Sequence, residues 1–255
     1  MSGDGSRPER VLVTGASRGI GRALAARLIA EGRRVVAVAR SKLELERELE
    51  CEVVLADLAR DLDVVARACA PYGGLDGLVH AAGVAPHAPL EAITDADLDA
   101  TYHLHVRAAL RLTQGLAAHL RSEGRKGSIV HVASTLGLRP AAGTLAYSAS
   151  KAALIALTKA AALELAPDGI RVNAIAPGLV DTDMVRALRL APGEPAPSGE
   201  EHARRVGAQL EAMRALHPLG RLGTPEEVAG GIVYLLDAAW ATGSVLTLDG
   251  GLTAA

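Results

Sequence analysis

Val11-Leu12-Val13-Thr14-Gly15-Ala16-Ser17-Arg18-Gly19-Ile20-Gly21 joins a short β-branched run to a glycine-rich turn and the opening of a helix. Leu24, Leu28 and Ile29 carry the helical period through Gly21 to Glu31, Gly32 ends it, and Val35-Val36-Ala37-Val38-Ala39 reads as a second buried strand. The unit is strand, helix, strand. A glycine turn in that position presents backbone N–H groups at a helix N-terminus with no side chain in the way. A pyrophosphate needs that approach, and Gly15, Gly19 and Gly21 permit it.

The alternation continues along the chain. Val53-Val54-Leu55, Gly77-Leu78-Val79-His80, Ile129-Val130-His131-Val132, Arg171-Val172-Asn173-Ala174-Ile175 and Val245-Leu246-Thr247-Leu248 are further strands, each separated from the next by helical sequence. Right-handed crossovers then give an α/β fold: a single-domain Rossmann-type, doubly wound parallel sheet of about seven strands with helices on both faces. At 255 residues and 49% hydrophobic, the chain suits one such domain over 10–255, with a disordered lead over 1–9. The breaker-rich segment Pro192 to Gly199 reads as an insertion. It is followed by Ala203, Val206, Leu210 and Met213 at helical spacing.

Composition narrows the function classes. A net charge of −2 without any dense Lys/Arg tract offers nothing to nucleic acid or an anionic membrane, so the expected partner is a small molecule. Met1 to Pro8 lacks the apolar core of a signal peptide, and no apolar run approaches the roughly 20 residues of a membrane span, so the expected location is cytoplasmic. Cys51 and Cys69 form neither a metal-ligand cluster nor a disulfide framework; no metal is expected. Phenylalanine is absent, so small aliphatic side chains must build the core.

Three residues carry the candidate chemistry. Tyr147 and Lys151 are four apart in helical sequence and share a face, and Ser134 follows the strand ending at Val132, at the end of a parallel sheet where ligands bind. A phenol with a pKa of about 10 is a poor acid–base group at neutral pH, but a nearby ammonium and an oxidised nicotinamide would favour the phenolate. Arg40, followed by Ser41, ends the second strand where an acid would hold the ribose 2′-hydroxyl of NAD. An arginine there suits the 2′-phosphate of NADP, and Arg18 in the loop adds a second guanidinium; NADP (NADPH) is therefore preferred over NAD.

The loop Thr14 to Gly21, Tyr147-Ser148-Ala149-Ser150-Lys151, and Asn173-Ala174-Ile175-Ala176-Pro177-Gly178 together resemble the short-chain dehydrogenase/reductase (SDR) family in its 3-oxoacyl-[acyl-carrier-protein] reductase-like form, with order and separations matching across nearly the whole chain. The resemblance implies that Ser17 and Ile20 join the loop glycines on the cofactor, that Asp57 with Leu58 meets the adenine, and that Ala81, Ala82 and Gly83 line the adenosine ribose. It further implies that Ile175, Pro177, Gly178, Val180 and Thr182 border the nicotinamide. Ser134, 13 positions before Tyr147, would polarise a substrate carbonyl. Tyr147 would donate the proton, and Lys151 would tune Tyr147 and hold the nicotinamide ribose. A substrate lid over 184–217 is implied too, as is a homotetramer (or homodimer) built from helices containing Leu104–Leu120 and Ala149–Leu165 and from the last strand.

Two positions depart from that pattern. The family places an asparagine where His105 stands, and Asn173 is the only asparagine in the chain. Either His105 replaces it in a water-mediated proton relay to Lys151, or it fills the space while a backbone carbonyl orders the water. His80 replaces the first asparagine of a second motif and reads as a structural strand-end side chain. The leading expectation is an NADPH-dependent reductase of a ketone or 3-oxoacyl carbonyl. An NAD-linked alcohol or hydroxysteroid dehydrogenase and a catalytically weak dinucleotide-binding sensor are the alternatives. Thioesters, steroids, polyketides and sugar-derived ketones all remain open as substrates, with Arg186, Arg189, Arg204 and Arg205 as possible contacts for an anion.

Overall fold

The computed structural model describes residues 7–40, 49–61, 63–72, 74–190 and 193–254. The strands are β1 Arg10–Thr14, β2 Arg34–Ala39, β3 Glu52–Leu55, β4 Gly77–His80, β5 Gly127–Val132, β6 Ile170–Pro177 and β7 Val245–Leu248. The α-helices among the described residues are α1 Gly19–Ala30, α2 Val64–Tyr72, α3 Asp95–Tyr102, α4 Ala108–Glu123, α5 Leu145–Leu165, α6 Asp183–Arg186, α7 Gly199–Ala215 and α8 Pro225–Asp237. All strand pairs are parallel, and the sheet runs β3-β2-β1-β4-β5-β6-β7.

The two-residue period of each strand sorts its side chains between two helix layers. Val11, Val13, Val35, Ala37, Val130 and Ile175 pack with Leu24 and Leu28 of α1 and with Ile232 and Leu236 of α8. Leu12, Val36, Leu78, Ile129 and Val172 face the opposite way, onto Val64 of α2, Leu112, Leu116 and Leu120 of α4, and Leu165 of α5. The lack of phenylalanine lets the helices sit close to the sheet. A Cβ added at Gly231 of α8 would lie 2.7 Å from Ile175 Cδ1.

The chain runs from β1 through β2 to β3 at one edge, then crosses back to β4 on the other side of β1. That reversal opens a crevice at the carboxyl ends of the strands. The loops after β1, β4, β5 and β6 converge there. The lead differs from expectation at its end: Pro8 is buried over Gly77, and the Glu9 carbonyl accepts the Arg34 N–H at 2.9 Å, so packing starts ahead of Arg10. The expected helix after the breaker-rich segment is α7, which buries Leu210 and Met213 against Leu222, whereas Ala203 faces solvent. Ser41 lies outside the described residues. No helix among the described residues is long and apolar enough to cross a membrane.

Arg33, with a side chain 2% exposed, locks the layers together. Its guanidinium donates to both carboxylate oxygens of Asp237 at 2.8 and 2.6 Å, tying the start of β2 to the end of α8. Glu31 offers it a second carboxylate at 3.1 Å. Asp237→Ala leaves a buried cation half-partnered, and a loss of about 2 kcal/mol in unfolding free energy is expected from urea denaturation. A change within about 0.5 kcal/mol would place this pair among ordinary surface ion pairs.

Candidate active site

Ser134 emerges two residues beyond β5 and caps a single 3₁₀ turn, Thr135–Gly137, its Oγ accepting the Leu136 N–H at 3.1 Å. A hydroxyl has one hydrogen, so accepting that bond leaves the Ser134 O–H to be donated. The turn is pressed against α5, because a Cβ at Gly137 would lie 2.8 Å from the Lys151 carbonyl carbon. This contact sets Ser134 beside Tyr147, with which it is hydrogen-bonded.

Tyr147 and Lys151 lie one helical turn apart on α5. The Lys151 ammonium donates to the Val132 carbonyl at 2.7 Å and sits 5.6 Å from the centre of the Tyr147 ring. Burial with no carboxylate partner pulls Lys151 down from 10.5 to about 7. Burial also pushes the Tyr147 phenol above its ordinary value, with the Ser134 hydrogen bond pulling the other way. The expected lowering combined the Lys151 ammonium with an oxidised nicotinamide; of the chain's own groups, burial has the larger effect on Tyr147 and favours the protonated phenol.

His105 sits in a π-helical turn, His103–Arg107, between α3 and α4. Its Nε2 accepts the Val84 N–H at 3.0 Å, so the ring hydrogen is on Nδ1, which donates to Ser150 Oγ at 2.8 Å. The Ser150 hydroxyl then donates to the Tyr147 carbonyl at 2.7 Å. The imidazole stands edge-on to the Tyr147 ring, with centroids 5.5 Å apart at 90°. Burial and the Lys151 charge hold it neutral. Both nitrogens are therefore occupied, neither by Lys151. Gly83 borders the space between the two: a Cβ there would lie 3.0 Å from His105 Nε2 and 3.8 Å from Lys151 Nζ.

Two more buried histidines stand beneath the site. His80 donates from Nε2 to the Leu104 carbonyl at 2.9 Å and accepts the Thr14 hydroxyl on Nδ1 at 2.9 Å. His131 donates from Nδ1 to Thr158 at 2.9 Å and accepts the Thr113 hydroxyl on Nε2 at 3.1 Å, bridging α5 and α4. Burial pushes His80 down to about 4 and His131 down to about 3.

The glycine loop closes on this frame. Gly15 adopts φ +68°, and a Cβ there would lie 2.8 Å from the Ala82 nitrogen; one at Gly21 would lie 2.3 Å from the Gly15 carbonyl oxygen. Gly19 abuts Thr182, whose hydroxyl donates to the Val180 carbonyl at 3.2 Å. These bare backbone surfaces at the start of α1 fit a dinucleotide phosphate bridge. Ser17 and Arg18 are exposed, and Arg18 reaches Asp183 at 3.8 Å. Arg40 is exposed directly after β2. Asp57 turns its carboxylate onto the Ala59 N–H at 3.1 Å, while Leu58 is a core side chain.

A cavity of about 310 Å³ unites Ser134, Tyr147 and Lys151 with Ile20, Ala81, Gly83, Pro177, Gly178, Val180 and Thr182. Its far wall is the segment after β6, through Met184 to Leu190. Sequence reasoning missed Gln209 of α7, which accepts the Arg189 N–H at 3.0 Å and donates to the Val185 and Ala187 carbonyls at 3.1 and 3.0 Å, holding that wall down. It also missed Ser150, visible only as a small residue beside Lys151, and Thr14. A cleft of about 380 Å³ at the amino ends of β5 and β6 is lined by Lys126, Arg171 and Trp240 but brings no acid–base pair together.

The chain belongs to the short-chain dehydrogenase family, whose pattern matches residues 9–192. It is accordingly an oxidoreductase acting on CH–OH or carbonyl groups with a nicotinamide dinucleotide. It is 36% identical over 254 residues to the 3-oxoacyl-[acyl-carrier-protein] reductase of Thermotoga maritima, covering 94% of this chain and 96% of that one. The ligand-free aldohexose dehydrogenase of Thermoplasma acidophilum superposes with a TM-score of 0.85 at 30% identity, covering 98% of this chain and 96% of that one. L-sorbose reductase of Gluconobacter frateurii, complexed with NADPH and L-sorbose, does so at 0.84 and 31%, covering 96% and 97%.

The buried histidines make folding acid-sensitive. Their folded pKa values lie below the unfolded 6.5, so the unfolded chain binds more protons and stability is lost as pH falls from 6.5 toward about 4 for His80 and about 3 for His131. Each contributes a slope of about 1.4 kcal/mol per pH unit in its window. Buried Lys151, at about 7 folded against 10.5 unfolded, adds a slope of the same sign above pH 7, so urea midpoints should already fall between about pH 8 and 7 and drop further, steeply, by about pH 5. A flat profile would contradict the burial of neutral rings.

Proposed function

We propose that this chain is an NADPH-dependent reductase that converts a ketone or 3-oxoacyl carbonyl to a secondary alcohol. The observation that carries the proposal is the Ser134–Tyr147 hydroxyl pair at the wall of a cavity that the glycine loop also borders, with Lys151 behind it. Bound reduced nicotinamide supplies hydride. The chain's own residues do the rest: the Ser134 O–H donates to the substrate carbonyl oxygen, and Tyr147 passes its proton to that oxygen as negative charge develops. A phenol held protonated by burial suits the reductive direction.

Arg40, exposed directly after β2, supports NADPH over NADH, and Arg18 would be the second guanidinium for its 2′-phosphate. Gly15, Ser17, Gly19, Ile20 and Gly21 would take the pyrophosphate. Asp57 and Leu58 would border the adenine, Ala81 to Gly83 the adenosine ribose, and Pro177, Gly178, Val180 and Thr182 the nicotinamide. Lys151 would hold its ribose. Exposed Leu110 of α4, Leu163 of α5 and Leu248 of β7 support a homotetramer or homodimer, and the cytoplasm is the proposed compartment.

In this reading His105 is a positioning residue. Its ring and Ser150 hold the α5 turn that carries Tyr147, in place of a water relay for which it has no spare nitrogen.

Three measurements test these roles. Tyr147→Phe should cut ketone reduction by about a hundredfold or more while NADPH titrates with unchanged affinity. Equal turnover in that variant would remove Tyr147 as proton donor. Tighter NADH than NADPH binding in the parent chain would favour the NAD-linked alternative. His105→Ala should lower kcat by about tenfold with little change in KM and lower the unfolding midpoint, and His105→Gln should recover part of both. A kcat loss accompanied by a shifted alkaline limb of the pH profile would restore the relay role.

A further inference from the structure

Among the described residues, apolar side chains line the cavity after β6 (Leu179, Val185, Leu188) and beside Ser134 (Leu136), and no carboxylate lines it. Three groups of cationic type do: Lys151, His87 and Arg189. Lys151 is bonded to the Val132 carbonyl at the catalytic end. The other two come from different elements. His87 lies in the loop after β4, its ring packed on Gly143, where a Cβ would fall 2.5 Å from Nε2. Arg189 lies in the wall after β6.

Of the five arginines of the lid, Arg214 meets Glu211 at 3.0 Å, and the four candidates for an anion differ in what they do. Arg186 forms a two-pronged pair with Asp181 at 2.7 and 2.8 Å, Arg204 meets Glu201 at 2.7 Å, and Arg205 meets Glu194 at 2.6 Å. Those three are neutralised on the outside of the lid. Arg189 has no acid partner among the described residues, and it alone of the four lines the cavity. It is open to water on one side and desolvated on the other, and that desolvation pulls its guanidinium below the ordinary value. Its charge in turn holds His87 below the usual imidazole range, after burial, so the two rim groups sense each other. The Gln209 side chain fixes the Arg189 backbone at 3.0 Å, so this cation is carried on a tethered segment.

A partly desolvated guanidinium facing a cavity without carboxylates favours an incoming anion and disfavours a cation. We propose that Arg189, with His87 across the rim, forms an anion subsite, and that the substrate is a ketone bearing a carboxylate or phosphate at the end remote from its carbonyl. The proposal rests on the reductase reading for the carbonyl end alone; the subsite itself is a matter of binding.

The test uses straight-chain ketones of graded length ending in a carboxylate, their methyl esters, and hydroxyketone phosphate monoesters, with the full-length chain loaded with NADP or NADPH. At one chain length or more, an anionic ketone should exceed its neutral ester in kcat/KM and in calorimetric affinity by about tenfold or more. The carboxylate and phosphate arms tell which anion is preferred. Arg189→Gln should shrink that ratio by about tenfold, Arg189→Lys should restore part of it, and Arg204→Gln, on the lid's outer side, should leave it unchanged. Esters binding as well as acids at every length, or a ratio that falls equally in Arg204→Gln, would overturn the subsite. So would a loss of NADPH affinity in Arg189→Gln as large as the loss for the acids, which would make the arginine a cofactor contact. If acids bind selectively and no ketone is reduced, the subsite stands and the reductase reading fails.

Discussion

The Thr14 hydroxyl at the end of β1 receives the N–H groups of Ala81 and Ala82 at 3.1 and 3.2 Å and donates its hydrogen to His80. His80 passes the connection on to the Leu104 carbonyl in the π-helical turn. One side chain thus joins the root of the glycine loop, the tail of β4 and the helix that carries His105. The close approach of Gly15 to Ala82 follows from this bond, and so does the shape of the crevice between β1 and β4. Without it, two loops that end on adjacent parallel strands would have orphan backbone donors at the ligand-binding edge.

The histidines that stand where the family pattern has asparagines work by staying uncharged. Each accepts with one ring nitrogen and donates with the other, so a neutral imidazole does the bridging of an amide over a longer reach. Burial keeps the rings in that state, and the Lys151 charge adds to the pressure on both, as it does on His131. The same burial makes Lys151 unusually easy to deprotonate and Tyr147 unusually hard. An apolar surrounding has opposite effects on an ammonium and a phenol because it disfavours whichever form is charged.

The wall opposite the catalytic pair has a different mechanical basis. Residues after β6 leave the sheet, and α7 holds them through Leu210, Met213 and the amide of Gln209. Three hydrogen bonds from one exposed-side glutamine substitute for the ladder contacts that the segment lacks. The end of the cavity that holds Ser134 and Tyr147 is thus fixed by the sheet and α5, and the end that holds Arg189 by a single helix packed outside it.

Much of this was legible in the residue order. β-branched runs separated by helical periods could only close as a parallel sheet wound on both faces, since right-handed crossovers leave few alternatives. The glycines after Val13 and the four-residue spacing of Tyr147 and Lys151 marked the site because local geometry carries their meaning. What only the tertiary structure decided depends on neighbours distant in sequence. The direction of the Tyr147 shift depends on how deeply the folded chain buries the phenol, against the pull of Ser134. The occupation of both His105 nitrogens depends on Val84 and Ser150. The role proposed for Arg189 rests on the other lid arginines facing carboxylates while Arg189 meets none among the described residues, and a charge has no function legible in sequence until its surroundings are fixed in space.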